Sequence, residues 1–340
     1  MPSAQLPRAV FAMDPVHLPL LFPAQLLARL RRTADIDPGF VVRDMRDLTD
    51  PAAAAALADA EVLITGWGCP RLDAEALTAA PGLRTVLHAA GSVRPLVGDA
   101  LWSQGVTVSS AVTANAVPVA EYTLAMILLA GKDAFAHRER FRITRTHPRP
   151  AETAATGNLG RRVGLIGASR VGRRLLELLR PYDFEILLYD PYVDAAEAAA
   201  LGARPLPLED LLRDSDIVSL HAPDIPETRH MLDRERLALI RDGGMLINTS
   251  RGGLIDHTAL TEELVSGRLH AILDVTEPEP PPADSPLYRL PNVFLTPHIA
   301  GSLGNELERL GLVVVEEMER VAAGRPLAHQ VRHTDLARVA

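Results

Sequence analysis

The chain has 340 residues, 47% apolar and 23% charged, and a formal net charge of −8 at pH 7, which is typical of a soluble globular protein with room for two domains. The negative charge argues against nucleic acid as a main partner, and no apolar run approaches a membrane span, so no membrane partner is expected. Because Met1–Leu6 lacks the basic start of a signal peptide and the single cysteine, Cys69, cannot form an internal disulfide, we expect a cytoplasmic location.

The first region of the chain, from Arg8 to about Ser110, alternates apolar runs typical of buried strands with helical patterns. Strands are predicted at residues 9–13, 40–42, 62–65, 84–88 and 106–108, and helices near residues 23–32 and 51–59. Strands that alternate with helices form parallel sheets. Because this region carries no nucleotide-binding motif, we expect it to form a substrate domain.

Two segments separate this region from the next. Residues 117–130 predict a helix that is apolar on most sides, which indicates either a core helix or half of a subunit interface. Residues 132–158 are polar and rich in Arg, His and Thr, and they contain Pro148 and Pro150. They predict a partly helical connection.

A strand, a tight turn and the start of a helix are predicted over residues 161–175, and this combination indicates a nucleotide-binding turn. Val163–Ile166 is apolar enough for a strand buried on both faces, and Gly167 allows the sharp reversal after it. Gly172 lies where the helix must pack closely on its strand, and the first N–H groups of such a helix attract a pyrophosphate. The middle glycine of the Gly-x-Gly-x-x-Gly pattern is Ser169 here, so this motif alone does not exclude an ordinary strand–turn–helix.

Asp190 supplies a second indication of a nucleotide site. It follows the next predicted strand, at the distance from the turn where a carboxylate accepts the adenosine ribose hydroxyls of NAD. A carboxylate there also repels the additional phosphate of NADP. The sequence therefore favours NAD.

From residue 163 the alternation of strands and helices continues. Strands are predicted at residues 163–166, 185–190, 217–221, 244–248, 270–274 and 293–296, enough for a doubly wound sheet. Such sheets bind ligands beyond the carboxyl ends of their strands, so the polar residues there are the candidate ligands: His221, residues 248–251, Asp274, Pro297 and His298. A final helix over residues 302–323 carries an apolar stripe, ends at Gly324 and could return the chain to the first domain.

Three of these strand ends together resemble the D-isomer-specific 2-hydroxyacid dehydrogenases. They are the stretches 247–253, 274–280 and 296–301, and the stretch 219–223 adds to the resemblance, which covers nearly all of residues 84–324. The resemblance implies a Rossmann-type doubly wound parallel-sheet domain, residues 111–301, inserted into a smaller flavodoxin-like α/β substrate domain, residues 1–110 plus 302–340. It also implies an active site in the cleft between the two domains.

The activity implied by the resemblance is the reversible NAD-dependent reduction of a 2-oxo acid to a D-2-hydroxy acid. Arg251 matches the arginine that binds the substrate carboxylate and polarises its carbonyl, a task suited to a guanidinium. His298 matches the general acid/base, and Glu279 matches the acid that orients it. Taken singly, Arg251 could be a helix-end ion pair, His298 a packed loop histidine, and Glu279, like Glu277, a solvated charge. Asp274 and Asp256 could be caps.

The turn and the resemblance together give the expected binding residues, with NAD as the cofactor and no metal. Asp274 matches the residue near the nicotinamide amide, and backbone N–H groups near Gly91 and Ser92 match the loop that also holds the substrate carboxylate. The expected cofactor-binding residues are Gly167, Ser169, Arg170, Val171, Gly172, Asp190, His221, Ala222, Pro223, Thr249, Ser250, Asp274 and Gly301. The expected substrate-binding residues are Ala90, Gly91, Ser92, Arg94, Arg251 and His298.

One departure from the family pattern bears on the substrate. The loop reads Ala89-Ala-Gly-Ser-Val-Arg94 where many relatives have Gly-x-Gly-x-Asp. Arg94 therefore places a positive charge where the family usually has a negative one. This favours a substrate with a second acidic or polar group, and a surface ion pair is equally compatible with it.

The resemblance leaves alternatives open. The substrate could be of the kind used by glyoxylate or hydroxypyruvate reductases or by phosphoglycerate dehydrogenases. Formate dehydrogenases share the fold but lack an acid at the position of Glu279, which argues against that activity. NAD(H)-sensing corepressors of the same fold keep similar catalytic residues and remain an alternative. The family also implies a homodimer formed through the nucleotide domain.

Overall fold

The computed structural model describes residues 6–46 and 49–336 of the chain. The expectation of no signal peptide therefore falls mostly on residues outside this range, as do the two ends of the predicted substrate domain. The described chain divides into two compact units. The first combines the residues up to Ala116 with those from Ser302 onward, and the second is Val117–Gly301.

The strands and helices are numbered in chain order. The strands are β1 (Ala9–Ala12), β2 (Val41–Val42), β3 (Val62–Thr65), β4 (Thr85–His88), β5 (Thr107–Ser110), β6 (Arg162–Ile166), β7 (Glu185–Tyr189), β8 (Arg204–Pro205), β9 (Ile217–Leu220), β10 (Met245–Asn248), β11 (His270–Leu273), β12 (Val293–Leu295) and β13 (Gln330–Val331). The helices are α1 (Leu18–Leu21), α2 (Ala24–Leu30), α3 (Pro51–Ala58), α4 (Ala74–Thr78), α5 (Asp99–Ser103), α6 (Val112–Gly131), α7 (Ala134–Thr144), α8 (Pro150–Thr153), α9 (Arg170–Leu179), α10 (Ala195–Ala200), α11 (Leu208–Asp214), α12 (Arg234–Leu239), α13 (His257–Val265) and α14 (Leu307–Ala322).

The first unit is built on a sheet in the order β2-β1-β3-β4-β5, with β13 added beside β5. Strands β1 to β5 are parallel and β13 is antiparallel to β5. Successive residues of β1 pack into two different apolar clusters, Val10 in one and Phe11 in the other, so the sheet is covered on both faces. Leu310, Val314 and Met318 of α14 belong to the second of these clusters. This is the flavodoxin-like order that the family resemblance implied.

The second unit is built on a fully parallel sheet in the order β8-β7-β6-β9-β10-β11-β12. The chain starts at the central strand β6, moves outward to β8, returns to β9 beside β6 and moves outward the other way. This is the doubly wound Rossmann-type arrangement, which confirms the predicted fold class. The order reverses between β6 and β9, so a ligand crevice is expected at the carboxyl ends of these two strands.

Several elements differ from those expected. The second sheet has seven strands among the described residues, not six, because β8 is a two-residue edge strand of Arg204 and Pro205 and carries no apolar run. Strand β13 also has only two residues and no apolar run, so the sequence did not predict it. Helices α1, α4 and α5 are four or five residues long, too short for a helical period to show in the sequence.

Helix α6 is longer than predicted, since it begins at Val112 and continues past Pro118 to Gly131. By length and composition alone this helix could cross a membrane, which differs from the expectation that no apolar run approaches a span. In the structure, 39% of its most apolar stretch is buried. Its residues Ala120, Met126, Ile127 and Ala130 belong to a core cluster of the second unit. A core helix of a soluble protein passes the same test, so this finding does not indicate a membrane protein.

Two adjacent glutamates on α14 lie in contrasting environments. Glu316 is exposed, whereas Glu317 is fully buried. The two carboxylate oxygens of Glu317 accept backbone N–H groups from Ala328 at 3.1 Å and His329 at 2.5 Å. These bonds hold the segment that leads into β13, so Glu317 ties the end of the described chain to the sheet of the first unit.

We expect Glu317→Gln to lower the free energy of unfolding of the first unit by about 1–3 kcal/mol, because the amide leaves one buried N–H group facing another donor. The matched Glu316→Gln variant should change it by less than about 0.5 kcal/mol. Urea unfolding of the two variants and the wild type measures both effects. Equal midpoints for the two variants would show that the buried contacts do not stabilise the unit.

Candidate functional site

The turn after β6 brings the backbone of α9 unusually close to the strand. Gly167 has φ of 102°, a left-handed value that favours glycine, and a Cβ there would lie 2.7 Å from the backbone of Ala222. A Cβ at Gly172 would lie 2.2 Å from the carbonyl oxygen of Gly167. Both positions therefore require glycine. This close approach leaves room at the turn for a ligand that contacts the backbone.

Ser169, at the position of the missing middle glycine, is the N-cap of α9. Its hydroxyl oxygen accepts the backbone N–H of Gly172 at 3.4 Å. Within the described chain, the backbone N–H of Val171 has no acceptor. The serine thus stabilises the start of the helix, while the N–H group of Val171 remains for an anion. The positive end of the helix dipole lies at this same end of α9.

Asp190 lies beside this turn, at the end of β7. Its carboxylate accepts the backbone N–H groups of Ala168 at 2.7 Å and Tyr192 at 2.8 Å. A cavity of about 270 Å³ adjoins it, lined by Leu188, Tyr189, Asp190, Val193, Ala198, Pro205, Leu206 and Pro207. A carboxylate next to a largely apolar recess suits the ribose and the flat ring of an adenosine.

The segment after β9 borders the same turn. The His221 backbone N–H donates to Ile166, and its Nε2 lies 2.9 Å from the hydroxyl of Ser219. Burial lowers the pKa of His221 to about 3, so the ring is neutral at physiological pH. The carbonyl of Ala222 accepts the hydroxyl of Ser250 at 2.8 Å, which joins this segment to the end of β10. His221 is therefore a buried neutral ring that helps to hold this segment beside the turn, and its expected contact with the cofactor stays a prediction.

The residues after β10 form a rigid loop around Arg251. The Asn248 side chain accepts the N–H of Ser250 and donates to the carbonyl of Arg251 at 2.8 Å. Thr249 is buried, and its hydroxyl lies 2.9 Å from that of Thr123 on α6. A Cβ at Gly252 would lie 2.2 Å from the backbone of Thr276, so this loop packs directly on the segment after β11.

The Arg251 side chain is partly buried in this loop. Its Nη1 donates to the carbonyl of Ser250 at 2.6 Å. Burial lowers the pKa of Arg251, and the nearby carboxylates of Asp224 and Glu279 oppose that effect. A guanidinium remains charged under such conditions. Arg251 is thus a fixed cation at the carboxyl end of the sheet, suited to binding a carboxylate.

Asp274, at the end of β11, is 2% exposed and organises the loop that follows β12. Its Oδ1 accepts the Thr296 hydroxyl at 2.6 Å and the Ile299 N–H at 2.8 Å. Its Oδ2 accepts the Ala300 N–H at 2.9 Å, and its backbone carbonyl accepts the N–H of His298 at 2.9 Å. The loop that carries His298 is therefore fixed on both sides of the histidine.

His298 and Glu279 form a hydrogen-bonded pair. The Nδ1 of His298 lies 2.7 Å from Oε1 of Glu279, and both side chains are between two-fifths and one-half exposed. His298 adopts φ of 54°, which is uncommon for a residue with a Cβ. A carboxylate on Nδ1 fixes the tautomer that leaves Nε2 for proton exchange. The pair has the arrangement of a general acid/base and its orienting group.

The segment that carries Glu279 is held at its other end by a second carboxylate. Glu277 accepts a hydrogen bond from Arg229 at 2.8 Å and lies 3.4 Å from Nε2 of His230. Arg229, which is the main cause, and His230 lower the pKa of Glu277. A cavity of about 670 Å³ adjoins Glu279 and His298, with Pro281, Tyr288 and Phe294 among the residues of its wall.

The expected binding loop of the first unit follows β4. The Ser110 hydroxyl donates to the carbonyl of Gly91 at 2.5 Å, and the backbone N–H of Arg94 donates to the Ser92 hydroxyl at 3.3 Å. Ala90 is buried, whereas Gly91, Ser92 and Arg94 are partly exposed. This loop lies at the carboxyl end of its own sheet, where parallel sheets bind ligands.

The structure thus brings together most of the predicted residues of the second unit. Arg251, Asp274, Glu279 and His298 lie at the carboxyl ends of β10, β11 and β12, and the turn residues lie at β6 and β9. Asp256 is the N-cap of α13, which is the role that the sequence analysis considered for it. The expected roles of Arg170, Pro223 and Gly301 in cofactor binding remain predictions.

Some residues that hold the site were not identified from the sequence. Arg229 binds Glu277, and the hydroxyl of Tyr122 lies 2.9 Å from that of Thr296. Neither belongs to a motif, and their sequence separations from their partners are 48 and 174 residues. Their roles depend on contacts that only the folded chain forms.

Comparison with known proteins gives a matching family for the second unit. The family described as "D-isomer specific 2-hydroxyacid dehydrogenase, NAD binding domain" matches residues 124–300. A solved structure of the TT0316 protein from Thermus thermophilus is 29% identical, superposes with a TM-score of 0.76, and the match covers 96% of this chain and all of that one.

Two groups of relatives match over most of the chain. A D-3-phosphoglycerate dehydrogenase of Mycobacterium bovis is 36% identical over 271 residues, which are 79% of this chain and 51% of that protein. A hydroxypyruvate reductase of Thermotoga maritima is 32% identical over 253 residues, 73% of this chain and 80% of that protein. The chain therefore spans about half the length of the phosphoglycerate dehydrogenase relatives that it matches.

Burial of neutral His221 makes the stability of the second unit depend on pH. Its pKa is about 3 in the folded chain against an ordinary value of 6.5, so between these values the unfolded chain binds a proton that the folded chain does not. The stabilisation is complete above about pH 6.5 and decreases as the pH falls, by about 2 kcal/mol at pH 5 for this group.

We therefore expect His221→Gln to reduce the loss of unfolding free energy between pH 7 and pH 5, measured by urea unfolding at each pH. The readout is the slope of the unfolding free energy against pH and not the absolute stability, since the substitution also perturbs a buried site. His147→Gln, at an exposed histidine, is the control and should leave the slope unchanged. A slope for His221→Gln equal to that of the wild type would mean that His221 is not buried as a neutral ring.

Proposed function

The chain belongs to the D-isomer-specific 2-hydroxyacid dehydrogenase family, and from this premise we propose that it is an NAD-dependent enzyme that interconverts a 2-oxo acid and a D-2-hydroxy acid. The observation that carries the proposal is the 2.7 Å contact between His298 and Glu279. This pair lies at the same sheet edge as the fixed cation Arg251.

In the direction of reduction, Arg251 binds the carboxylate of the 2-oxo acid and draws electron density from the neighbouring carbonyl. NADH, when bound, supplies the hydride that the carbonyl carbon accepts. His298, protonated on both ring nitrogens, gives its Nε2 proton to the carbonyl oxygen as negative charge develops there. Glu279 stabilises the charged ring before this transfer and keeps its orientation afterwards. In oxidation the same atoms move in reverse, and His298 takes the hydroxyl proton.

The residues of the nucleotide turn fit NAD. A Cβ at Gly167 or Gly172 would clash with the neighbouring backbone, so the turn can approach a ligand closely only with glycine at both positions. The start of α9 offers an N–H group and the positive end of the helix dipole to the pyrophosphate. The Asp190 carboxylate, beside its cavity, suits the ribose hydroxyls and disfavours a 2′-phosphate. Asp274, with three hydrogen bonds already accepted, retains room for one more near the nicotinamide amide.

Substrate binding in the second unit is assigned to Arg251 and His298, and Ala90, Gly91, Ser92 and Arg94 of the first unit stay predicted substrate-binding residues. The similar proteins act on different acids: one is named for D-3-phosphoglycerate, which carries a phosphate, and another for hydroxypyruvate, which does not. Both acids present the carboxylate and the oxygen-bearing carbon that Arg251 and His298 address. The proposed substrate is therefore a small 2-oxo or 2-hydroxy acid.

The proposed assembly is a homodimer formed through the second unit. Helix α7 has no buried residue, and its Phe141 and Ile143 side chains are 54% and 77% exposed. Apolar side chains exposed in this way support an interface. Light scattering should give twice the chain mass for the wild type and a lower mass for a Phe141→Asp/Ile143→Asp variant. A wild-type monomer would refute the dimer.

A cytoplasmic location is proposed as well, because the one thiol of the chain, Cys69, is partly buried and has no second cysteine to pair with. Fractionation of the source cells tests this location. Recovery of the protein outside the cytoplasmic fraction would contradict it.

The activity is tested by following NADH oxidation with a panel of 2-oxo acids, with NADPH in parallel. We expect turnover of at least one acid with NADH, and a loss of about 10²–10⁴-fold in kcat for His298→Ala because the general acid is removed. His147→Ala, at an exposed histidine outside the site, is the control and should retain full activity.

Three other outcomes would contradict parts of the proposal. Tight NADH binding without turnover of any acid would favour a nucleotide-sensing protein of the same fold. Failure to bind NADH would mean that Ser169 and its neighbours do not form a cofactor site. Turnover that His298→Ala leaves intact would remove the role of this histidine.

A further inference from the structure

Residues 275–281, the segment that carries Glu279, lack the backbone hydrogen bonds that fix most loops. Three of these seven residues are prolines, which have no N–H group to donate. Among the described residues, no backbone–backbone hydrogen bond involves this segment. The Thr276 hydroxyl donates to the carbonyl of Pro278 at 2.8 Å, a bond within the segment itself. Side-chain contacts with other parts of the unit must therefore hold the segment in place.

Two such contacts lie on either side of Glu279. On the C-terminal side, the Tyr288 hydroxyl donates to the carbonyl of Pro281 at 3.1 Å. On the N-terminal side, the Nη2 of Arg229 donates to the carboxylate of Glu277 at 2.8 Å. The ion pair is the charge-assisted contact of the two, and such bonds are the stronger ones. Arg229 thus supplies the firmer anchor, two residues before the acid that contacts the histidine.

Arg229 itself lies on a segment that is fixed to the loop of Arg251. Its neighbour His230 donates its backbone N–H to the carbonyl of Gly253 at 2.8 Å. A Cβ at Gly253 would lie 2.9 Å from the Nη1 of Arg229, so the guanidinium lies directly against this loop. Arg229 therefore has a fixed base from which to hold Glu277.

The ion pair of Arg229 and Glu277 is suited to setting a position more than to stabilising the fold. Arg229 is the main cause that lowers the pKa of Glu277, so the carboxylate is charged at neutral pH. The two side chains are 50% and 39% exposed, and exposed pairs of this kind add little to the free energy of unfolding. We therefore expect the effect of the pair on the neighbouring acid to exceed its effect on stability.

We propose that Arg229 is a positioning residue, which holds Glu277 and thereby fixes the carboxylate of Glu279 at Nδ1 of His298. The contact that it maintains is the 2.7 Å hydrogen bond of the proposed catalytic pair. A displacement of about 1 Å at such a contact can lower a rate by up to about 10²-fold. The inference rests on the proposed dehydrogenase function and adds a residue that acts through Glu277.

The test is a double-mutant cycle of Arg229→Gln and Glu279→Gln, read from the single-turnover rate of NADH oxidation with an acid that the wild type reduces. Arg229→Gln should lower this rate by about 10-fold because the acid is no longer held in place. The Kd for NADH should change by less than about twofold, because the proposed role concerns proton transfer and not cofactor binding.

The Glu279→Gln background separates positioning from a general structural role. There, Arg229→Gln should lower the rate by less than about twofold, since the acid through which Arg229 acts is absent. A merely structural role would give the same loss in both backgrounds.

Further variants make the comparison specific to this ion pair. Glu277→Ala removes the same pair, so it should reproduce the loss and add nothing to Arg229→Gln. Arg234→Gln is the matched control, because Arg234 is an exposed arginine of the same unit that pairs with Glu262 at 2.8 Å, outside this segment. It should keep the wild-type rate. Arg229→Lys should recover part of the rate, since it keeps the charge. Urea midpoints show which variants are folded, and Glu277→Ala carries the cycle if Arg229→Gln is not.

The side-chain nitrogen resonances of His298 give a readout that needs no activity. In the neutral ring, a carboxylate at Nδ1 favours the tautomer with the proton on Nδ1. We expect this tautomer in the wild type and in Arg234→Gln, and a mixture of both tautomers in Arg229→Gln. The signals of His298 are identified by their absence in His298→Ala.

The inference is overturned if Arg229→Gln keeps the wild-type rate or the wild-type tautomer of His298. It is also overturned if the loss of rate is equal with and without Glu279, or if Arg234→Gln loses as much. Failure of the proposed function has a different signature, namely that the wild type turns over no 2-oxo acid. In that case the tautomer of His298 still decides whether Arg229 holds the acid in place.

Discussion

The carboxylate of Asp274 is the interaction on which the proposed catalytic geometry depends. It is buried at the end of β11 and accepts hydrogen bonds from Thr296, Ile299 and Ala300, which surround His298 in the sequence. These bonds hold His298 at φ of 54°, a left-handed conformation that costs a residue with a Cβ about 1–2 kcal/mol. The hydrogen bonds to Asp274 hold the loop in this strained conformation. The conformation directs the imidazole toward Glu279.

A second constraint joins the loops that carry the arginine and the acid. Gly252 packs so closely on Thr276 that no side chain fits between them, and Glu277 is bound to Arg229 on the adjacent segment. Arg251 and Glu279 therefore lie on backbone segments that cannot move independently. Close backbone packing and buried hydrogen bonds of this kind pre-organise charged groups, so that little reorganisation is needed when charge develops on a substrate.

The sequence predicted the parts of this protein that follow from short-range patterns. Buried apolar runs located β1, β3, β6 and β9 to within one or two residues, and the glycines at 167 and 172 located the turn at which the sheet order reverses. Edge strands such as β8, made of an arginine and a proline, have no apolar run to detect. The very short helices α1, α4 and α5 span little more than one turn, so no helical period shows in their sequence.

The order of polar residues at strand ends predicted the members of the candidate site but not how they are held. Nothing in the sequence indicated that Ser169 caps α9, that Asp274 accepts three hydrogen bonds, or that Arg229 fixes Glu277. These contacts join residues that are adjacent only after the strands pair, since the carboxyl ends of a parallel sheet gather side chains from distant parts of the chain. Position along the chain thus identifies candidates, and tertiary packing determines their geometry.

Hydride transfer to the second carbon of a 2-oxo acid, with protonation of its oxygen by His298, is the central step that we propose for this site. Reduction with NADH that carries deuterium at the transferred position of the nicotinamide, followed by mass spectrometry and chiral separation of the product, tests this step most directly. We expect a D-2-hydroxy acid with one deuterium on its second carbon. A product without deuterium at that carbon, or of the L configuration, would contradict the proposal.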